Sequence, residues 1–230
     1  MASAATVSNP RAARTRAALL SAGFELLAQR PIDAIAIDDI VTRAGVAKGS
    51  FFNHFSDKHG FANAIGAAVR DEVEQRVGAA NAGVTDPAER LAGGMRVAVD
   101  YALTERERAI VMLRGLELST GLDHDLNRGI RADIEALVAA GLARPEAARS
   151  GMRFWLGLCN VAMLNVIERQ PPRDDAAERL REMLVLGLCG LGVDPLRAQQ
   201  VADASAARLR ASASRPEDAA ARTRPIPGQG

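Results

Sequence analysis

A chain of 230 residues, 48% hydrophobic but only 3% aromatic, holds enough material for one large or two smaller domains. Its apolar content is dominated by Ala, Leu and Val, which suits close-packed helices better than sheets. A formal net charge of +1 excludes a nucleic-acid binder that works through bulk charge, so any such affinity must come from local placement. Residues 1–60 carry seven Lys/Arg against five Asp/Glu, residues 61–194 sixteen against twenty, and residues 195–230 six against three, so basic ends flank an acidic centre. Cys159 and Cys189 are the only cysteines. Each lies in an apolar run, which excludes a disulfide scaffold and reads as buried free thiols, with a redox switch as the other reading. The opening MASAATVSNPRAARTR has no apolar core of signal-peptide length, and no stretch approaches the roughly 18 uninterrupted apolar residues of a membrane span. A cytoplasmic protein with no membrane partner is expected.

Residues 1–13 are small, polar and interrupted by Pro10, and read as a flexible arm. A first helix is expected over 14–29, where Ala18, Leu19, Ala22, Leu26 and Leu27 recur at helical spacing until Pro31. Ile37, Ile40, Val41 and Ala44 define a short second helix with Asp38 and Asp39 in its first turn, where the helix dipole favours anions, and Gly45 to end it. After the compact segment AKGSFFNHF, Ser56 reads as the N-cap of a longer helix reaching about Arg76. Six further helices fit between breaks at Gly83–Pro87, Glu105–Arg108, Leu122–Asp125, Pro145, Pro171–Pro172 and Gly192–Pro195. No segment alternates as a strand does. Residues 211–230 have little to bury and read as a disordered tail.

The chemistry concentrates between Ile37 and Lys58. IDDIVTRAGVAKGSFFNHF supplies a scaffold helix, a tight turn and a second helix with a polar outer face, the order a helix-turn-helix requires. Phe51 and Phe55, four residues apart, fix the second helix inward. That leaves Lys48, Gly49, Ser50, Phe52, Asn53 and His54 on or near the outside, with Phe52 partly exposed because neighbours on a helix cannot share one core. Lys suits phosphate or guanine, Asn suits adenine, and Ser or His reaches backbone or base. Lys48 and Lys58 are the chain's only lysines. An ordinary helical hairpin with all three phenylalanines in its core is the competing reading.

The run AALLSAGFELLAQRPIDAIAIDDIVTRAGVAKGSFFNHFSDKHGF, and AGVAKGSFFNHFSDK above all, resembles the DNA-binding region of the TetR family of regulators over about residues 14–62. The resemblance implies an all-α protein: a three-helix, helix-turn-helix DNA-binding domain over 14–60, then a helical effector-binding and dimerisation domain over 61–210. It implies that Lys48, Ser50, Phe52, Asn53 and His54 face DNA, that Lys58 contacts phosphate, and that the partners are double-stranded operator DNA and a small-molecule effector. Three positions depart from the family pattern. Phe52 stands where Tyr is usual and loses a hydroxyl; Ala36 and Ile37 stand where a capping Ser or Thr is common; Pro31 stands where Gly is usual.

The segments 151–168 and 180–192 are apolar nearly all round, which a surface helix avoids. They predict a homodimer interface built from helices around 151–168 and 176–192, with a purely intramolecular core as the alternative. Met95, Val99, Tyr101, Met112, Leu116, Trp155 and Cys159 are candidates for an effector pocket, although such residues also fill cores. Asn160, Asn165 and Glu168 could orient a ligand there. Asp123–His124–Asp125 reads as a solvated loop rather than a metal site, and no zinc-ligand spacing, phosphate loop or nucleophile elbow is present. No cofactor and no catalytic residue are expected. The choice lies between a transcription regulator, a repressor released from a pseudo-palindromic operator by a small apolar or aromatic effector, and a helical enzyme or adaptor whose helix-turn-helix no longer works on DNA.

Overall fold

The computed structural model describes residues 10–115 and 127–212. Ten α-helices and one short 3-10 turn account for nearly all of them, and no strand occurs among the described residues. Five of the six expected breaks in the C-terminal two thirds separate helices, and the sixth, at Leu122–Asp125, lies outside the described residues. Two compact units emerge. The N-terminal one contains residues 10–69 and 110–115, the C-terminal one residues 70–109 and 127–212.

In the N-terminal unit, α1 (Pro10–Gln29) buries Leu19, Leu20, Leu26 and Leu27 on one stripe. It starts four residues before the expected position, so residues 10–13 are helical rather than part of an arm; Pro10 opens a helix at no cost because the first N–H groups lack partners in any case. A 3-10 turn at Ile32–Ala34 leads to α2 (Ile37–Ala44). Ala36 precedes α2 and has no side chain that can cap it, but Asp39 Oδ2 accepts from the Ala36 N–H at 3.4 Å and Arg30 braces the same oxygen at 2.7 Å. The missing Ser or Thr is thus partly replaced from within the helix. α3 (Lys48–Phe52) is five residues long, and α4 runs from Lys58 to Ala80.

Asp57, not Ser56, caps α4: its Oδ1 accepts from the Gly60 N–H at 2.7 Å, while the Ser56 hydroxyl is turned onto Asp57. The first turns of α4 supply Phe61, Ala62, Ile65 and Val69 to the N-terminal core. The boundary between units therefore falls after Val69 and not at residue 60. α6 (Arg106–Gly115) also returns to this unit, where Arg114 donates to the Leu27 carbonyl at 2.6 Å and satisfies an otherwise orphaned acceptor at the end of α1.

The C-terminal unit is built around α5 (Pro87–Thr104), buried on most sides, with α7 (Arg128–Ala139), α8 (Ala147–Arg169), α9 (Arg173–Leu191) and α10 (Pro195–Ser212) packed about it. α10 carries the chain regularly through 212, so 211 and 212 belong to a helix rather than to a tail. Asp86 caps α5 by accepting from the Ala88 and Glu89 N–H groups, and Asp194 does the same for α10. Arg197 at the start of α10 then reaches both Asp86 and Glu89, at 2.8 and 2.7 Å.

Candidate nucleic-acid interface

The geometry of the segment 37–58 follows from three local facts. Gly45 adopts the left-handed conformation (φ 66°, ψ 33°), which costs a residue with a Cβ but lets the Gly45 and Val46 N–H groups close back onto the Thr42 and Val41 carbonyls. α2 stops there and the chain turns into α3. Phe51 is fully buried, with ring centroids 5.3 Å from Phe61 and 5.7 Å from Phe55, and Phe55 lies 4.8 Å from Phe61. These edge and tilted contacts lock α3 against the start of α4. Gly23 on α1 makes room for them, since no side chain there could coexist with Phe61 and Ile65.

With Phe51 inward, Lys48, Gly49 and Asn53 are exposed, Ser50 and His54 are half-buried, and Phe52 stands out with 53% exposure. An apolar ring this open beside polar neighbours is what a face covered by a partner presents. Lys48 forms an ion pair with Asp38 at 2.8 Å, both side chains being largely exposed; such a pair is worth little and yields readily to a phosphate. Lys58 is engaged differently. Its ammonium donates to the Ile32 and Asp33 carbonyls at 3.3 and 3.2 Å, closing the 3-10 turn, and only its remaining donor capacity faces outward. Arg16 on α1 was not singled out by motif reasoning: its guanidinium lies 5.4 Å from the Phe55 ring centroid and adds a held cation beside this segment. The signal was the run RAARTR, whose arginines fall at near-helical spacing.

The expected pocket residues disperse. Met95, Tyr101 and Trp155 are core, at most 1% exposed, and Met112 belongs to the N-terminal unit. Leu116 lies outside the described residues, as does Asp123–His124–Asp125. Val99 alone of the set lines a described cavity, shared with Asn165, Ala162, Val166 and Leu180, of about 10 Å³, room for a single water. Tyr101 is held by chemistry rather than left for a ligand: its hydroxyl donates to Glu72 at 3.3 Å and accepts from Arg108 at 3.2 Å, while Arg76 covers its ring. Burial and the neighbouring Glu72 push its pKa up.

A polar cluster inside the C-terminal unit escaped sequence reasoning. On α4, Arg70 donates to Asn127, which is fully buried, and Glu74 lies one turn further along. Burial lowers the Arg70 pKa and raises that of Glu74, and burial together with Glu74 pushes the Cys159 thiol up to about 12. Arg70 and Glu74 flank the buried Val69 and Val73, so helical spacing alone assigns them to a solvated face. Among the described residues no cluster of His, Cys, Asp and Glu could hold a metal, and no helix is long and apolar enough to cross a membrane.

Fold and site define a helix-turn-helix DNA-binding protein with an appended helical unit. Residues 19–65 match the family model of the bacterial regulatory proteins of the tetR family. No curated protein sequence matches the chain. Among solved structures it resembles RolR in complex with resorcinol (TM-score 0.62, 22% identity, 84% of this chain and 94% of that one). It also resembles a tetR family transcription regulator from Shewanella sp. PV-4 (0.67, 17%, 77% and 97%) and a gamma-butyrolactone receptor, an ArpA-like protein (0.56, 19%, 89% and 100%). Residues 19–65 thus carry the DNA-binding region of the tetR family, and the described helices share the fold of solved tetR family regulators.

Proposed function

We propose that two copies of the chain grip the halves of a pseudo-palindromic operator in the cytoplasm and repress transcription until a small effector releases them. The observation that carries this reading is the outward face of Lys48, Gly49, Ser50, Phe52 and Asn53, held rigid from behind by Phe51, Phe55 and Phe61. Pairing is supported by apolar side chains left open on α8 and α9: Phe154, Val161 and Leu164 on the first, Leu186, 71% exposed, on the second. Phe154, Val161 and Leu164 follow at intervals of seven and three, one stripe of a helix, and the exposed Gly157, with nothing within 4 Å of where a Cβ would stand, lies on α8 where another helix could approach closely.

The effector is an aromatic or apolar molecule carrying a hydroxyl or acid group, with Arg70, Glu74 and Asn127 as its polar readers. A neighbouring fold binds resorcinol and another is a gamma-butyrolactone receptor, which is compatible with ligands of this kind. α4 carries both Arg70 and Lys58 on one continuous helix, about 18 Å apart at 1.5 Å per residue. An effector that binds more tightly when α4 is displaced would shift operator affinity by that difference and no more.

Duplexes selected from a random pool by the purified protein provide the operator, and fluorescence anisotropy at two salt concentrations provides the test. Affinity should fall steeply with salt. Lys58→Ala should weaken binding to all duplexes alike, and Asn53→Ala should relax preference at one base position by about 1–3 kcal/mol. Parent-like binding by both variants would refute the assignment of this face.

A further inference from the structure

The seam between α5 and α10 contains a charge arrangement that DNA binding and effector release leave unused. Along the seam Ser205 donates to the Ala92 carbonyl at 3.4 Å. One turn further, the same register sets Arg96 on α5 beside Arg208 on α10, with Asp100 the carboxylate that also acts on it. Another turn on, Arg173 pairs with Asp100 and also reaches the Ser212 hydroxyl at 2.8 Å and the Leu209 carbonyl at 3.1 Å. Ser212 donates to Asp100 as well, at 3.2 Å. Asp100, one helical turn from Arg96 on α5, is therefore hydrogen-bonded by Arg173 and Ser212 and makes no hydrogen bond to Arg96.

Arg96 Nε is the one buried side-chain nitrogen or oxygen among the described residues with no hydrogen-bond partner. Folded proteins rarely leave such a donor bare, because an unsatisfied buried charge-bearing group is costly. Arg208 is exposed and makes no ion pair among the described residues. Burial lowers the Arg96 pKa, and repulsion from Arg208 lowers it further. Asp100 already pairs with Arg173, and neither Arg96 nor Arg208 has an ion pair of its own among the described residues. A planar guanidinium fork is shaped for a carboxylate or phosphate oxygen pair, and the half-buried Arg96 beside the exposed Arg208 offers two such forks to one anion.

We propose that Arg96 and Arg208 form an anion site that takes a small soluble oxyanion, a phosphate or carboxylate group, and that its occupant clips α10 to α5. The site is separate from the DNA-facing residues and from Arg70, Glu74 and Asn127, so it stands or falls independently of the operator and effector readings.

The test uses the full chain without DNA. Inorganic phosphate and acetate are each titrated calorimetrically at constant ionic strength, and thermal unfolding is compared with sodium chloride at the same ionic strength. One of the two oxyanions should give saturable heat and a higher Tm than chloride, by linkage to the folded state. Arg208→Gln, an exposed substitution that leaves the core intact, should weaken that binding at least tenfold. Arg96→Gln should do the same, and Lys48→Ala should leave it unchanged. Absence of saturable heat with both oxyanions, or binding that survives Arg208→Gln but disappears in Lys48→Ala, would overturn the proposal.

Discussion

Gly23→Ala should destabilise this protein, against the usual sign of the substitution. In a helix interior alanine is favoured over glycine by about 1 kcal/mol. At position 23, however, a Cβ would stand 2.2 Å from Phe61 Cζ, 2.4 Å from Phe61 Cε1 and 2.6 Å from Ile65 Cδ1, where carbon atoms in contact need about 3.5 Å. Phe61 and Ile65 are both fully buried, so neither can swing into solvent. Relief requires α1 and α4 to separate by roughly 1 Å, an overpacking cost of about 1–3 kcal/mol. Set against the propensity gain, that leaves a net loss of up to about 2 kcal/mol.

Since Phe61 also braces Phe51 beneath α3, operator affinity should fall with it. Gly78→Ala on α4 serves as the control, because Gly78 is exposed and nothing lies within 4 Å of the added carbon. It should stabilise by about 1 kcal/mol. Urea unfolding followed by circular dichroism, at one protein concentration so that association is held fixed, measures both. A Gly23→Ala protein at least as stable as the parent, with unchanged operator affinity, would refute the packing argument.

Phe52→Tyr restores a hydroxyl on the exposed face and should tighten operator binding by about 1.5 kcal/mol, roughly tenfold, if it reaches a phosphate; unchanged anisotropy titrations would show that this ring does not approach the backbone. Burial alone would raise the Asp86 pKa, but hydrogen bonds from Arg197 and from the Glu89 and Ala88 N–H groups hold it below 3.8. Its contribution is therefore complete above the ordinary carboxylate range and lost as pH falls through the depressed value. The Tm of Asp86→Asn should accordingly fall less than that of the parent on acidification, and parallel Tm curves would contradict the assignment. In a Cys189→Ser background, the half-buried Cys159, whose thiol is pushed from 9.0 to about 12, should react with a maleimide at pH 8 about a thousandfold more slowly than an ordinary thiol until the protein is unfolded; native-state labelling at the ordinary rate would refute the raised pKa.

The helix-turn-helix was legible because its determinants are local. The spacing of Ile40 and Val41, the turn at Gly45 and the pair Phe51 and Phe55 all act within about fifteen residues, and the exposed Phe52 follows from its neighbour being buried. Cap assignments were less secure. Ser56 and Asp57 are equally able acceptors, and only the observed bond from Gly60 decides for Asp57.

Residue type misled in the C-terminal unit. Tyr101 and Trp155 read as pocket material because large aromatics serve both cores and ligands, and their burial depends on helices that the sequence keeps far apart: Tyr101 on Glu72 and Arg108, Trp155 on Gly187. The sequence by itself determined where helices begin and break and which stripe of each is apolar, since those properties repeat every few residues and need no distant partner. Only the tertiary structure decided which stripes meet. Arg96 and Arg208 are 112 residues apart in the chain, and no periodicity reports that packing α10 on α5 brings one guanidinium beside another and leaves Arg96 Nε without a hydrogen-bond partner.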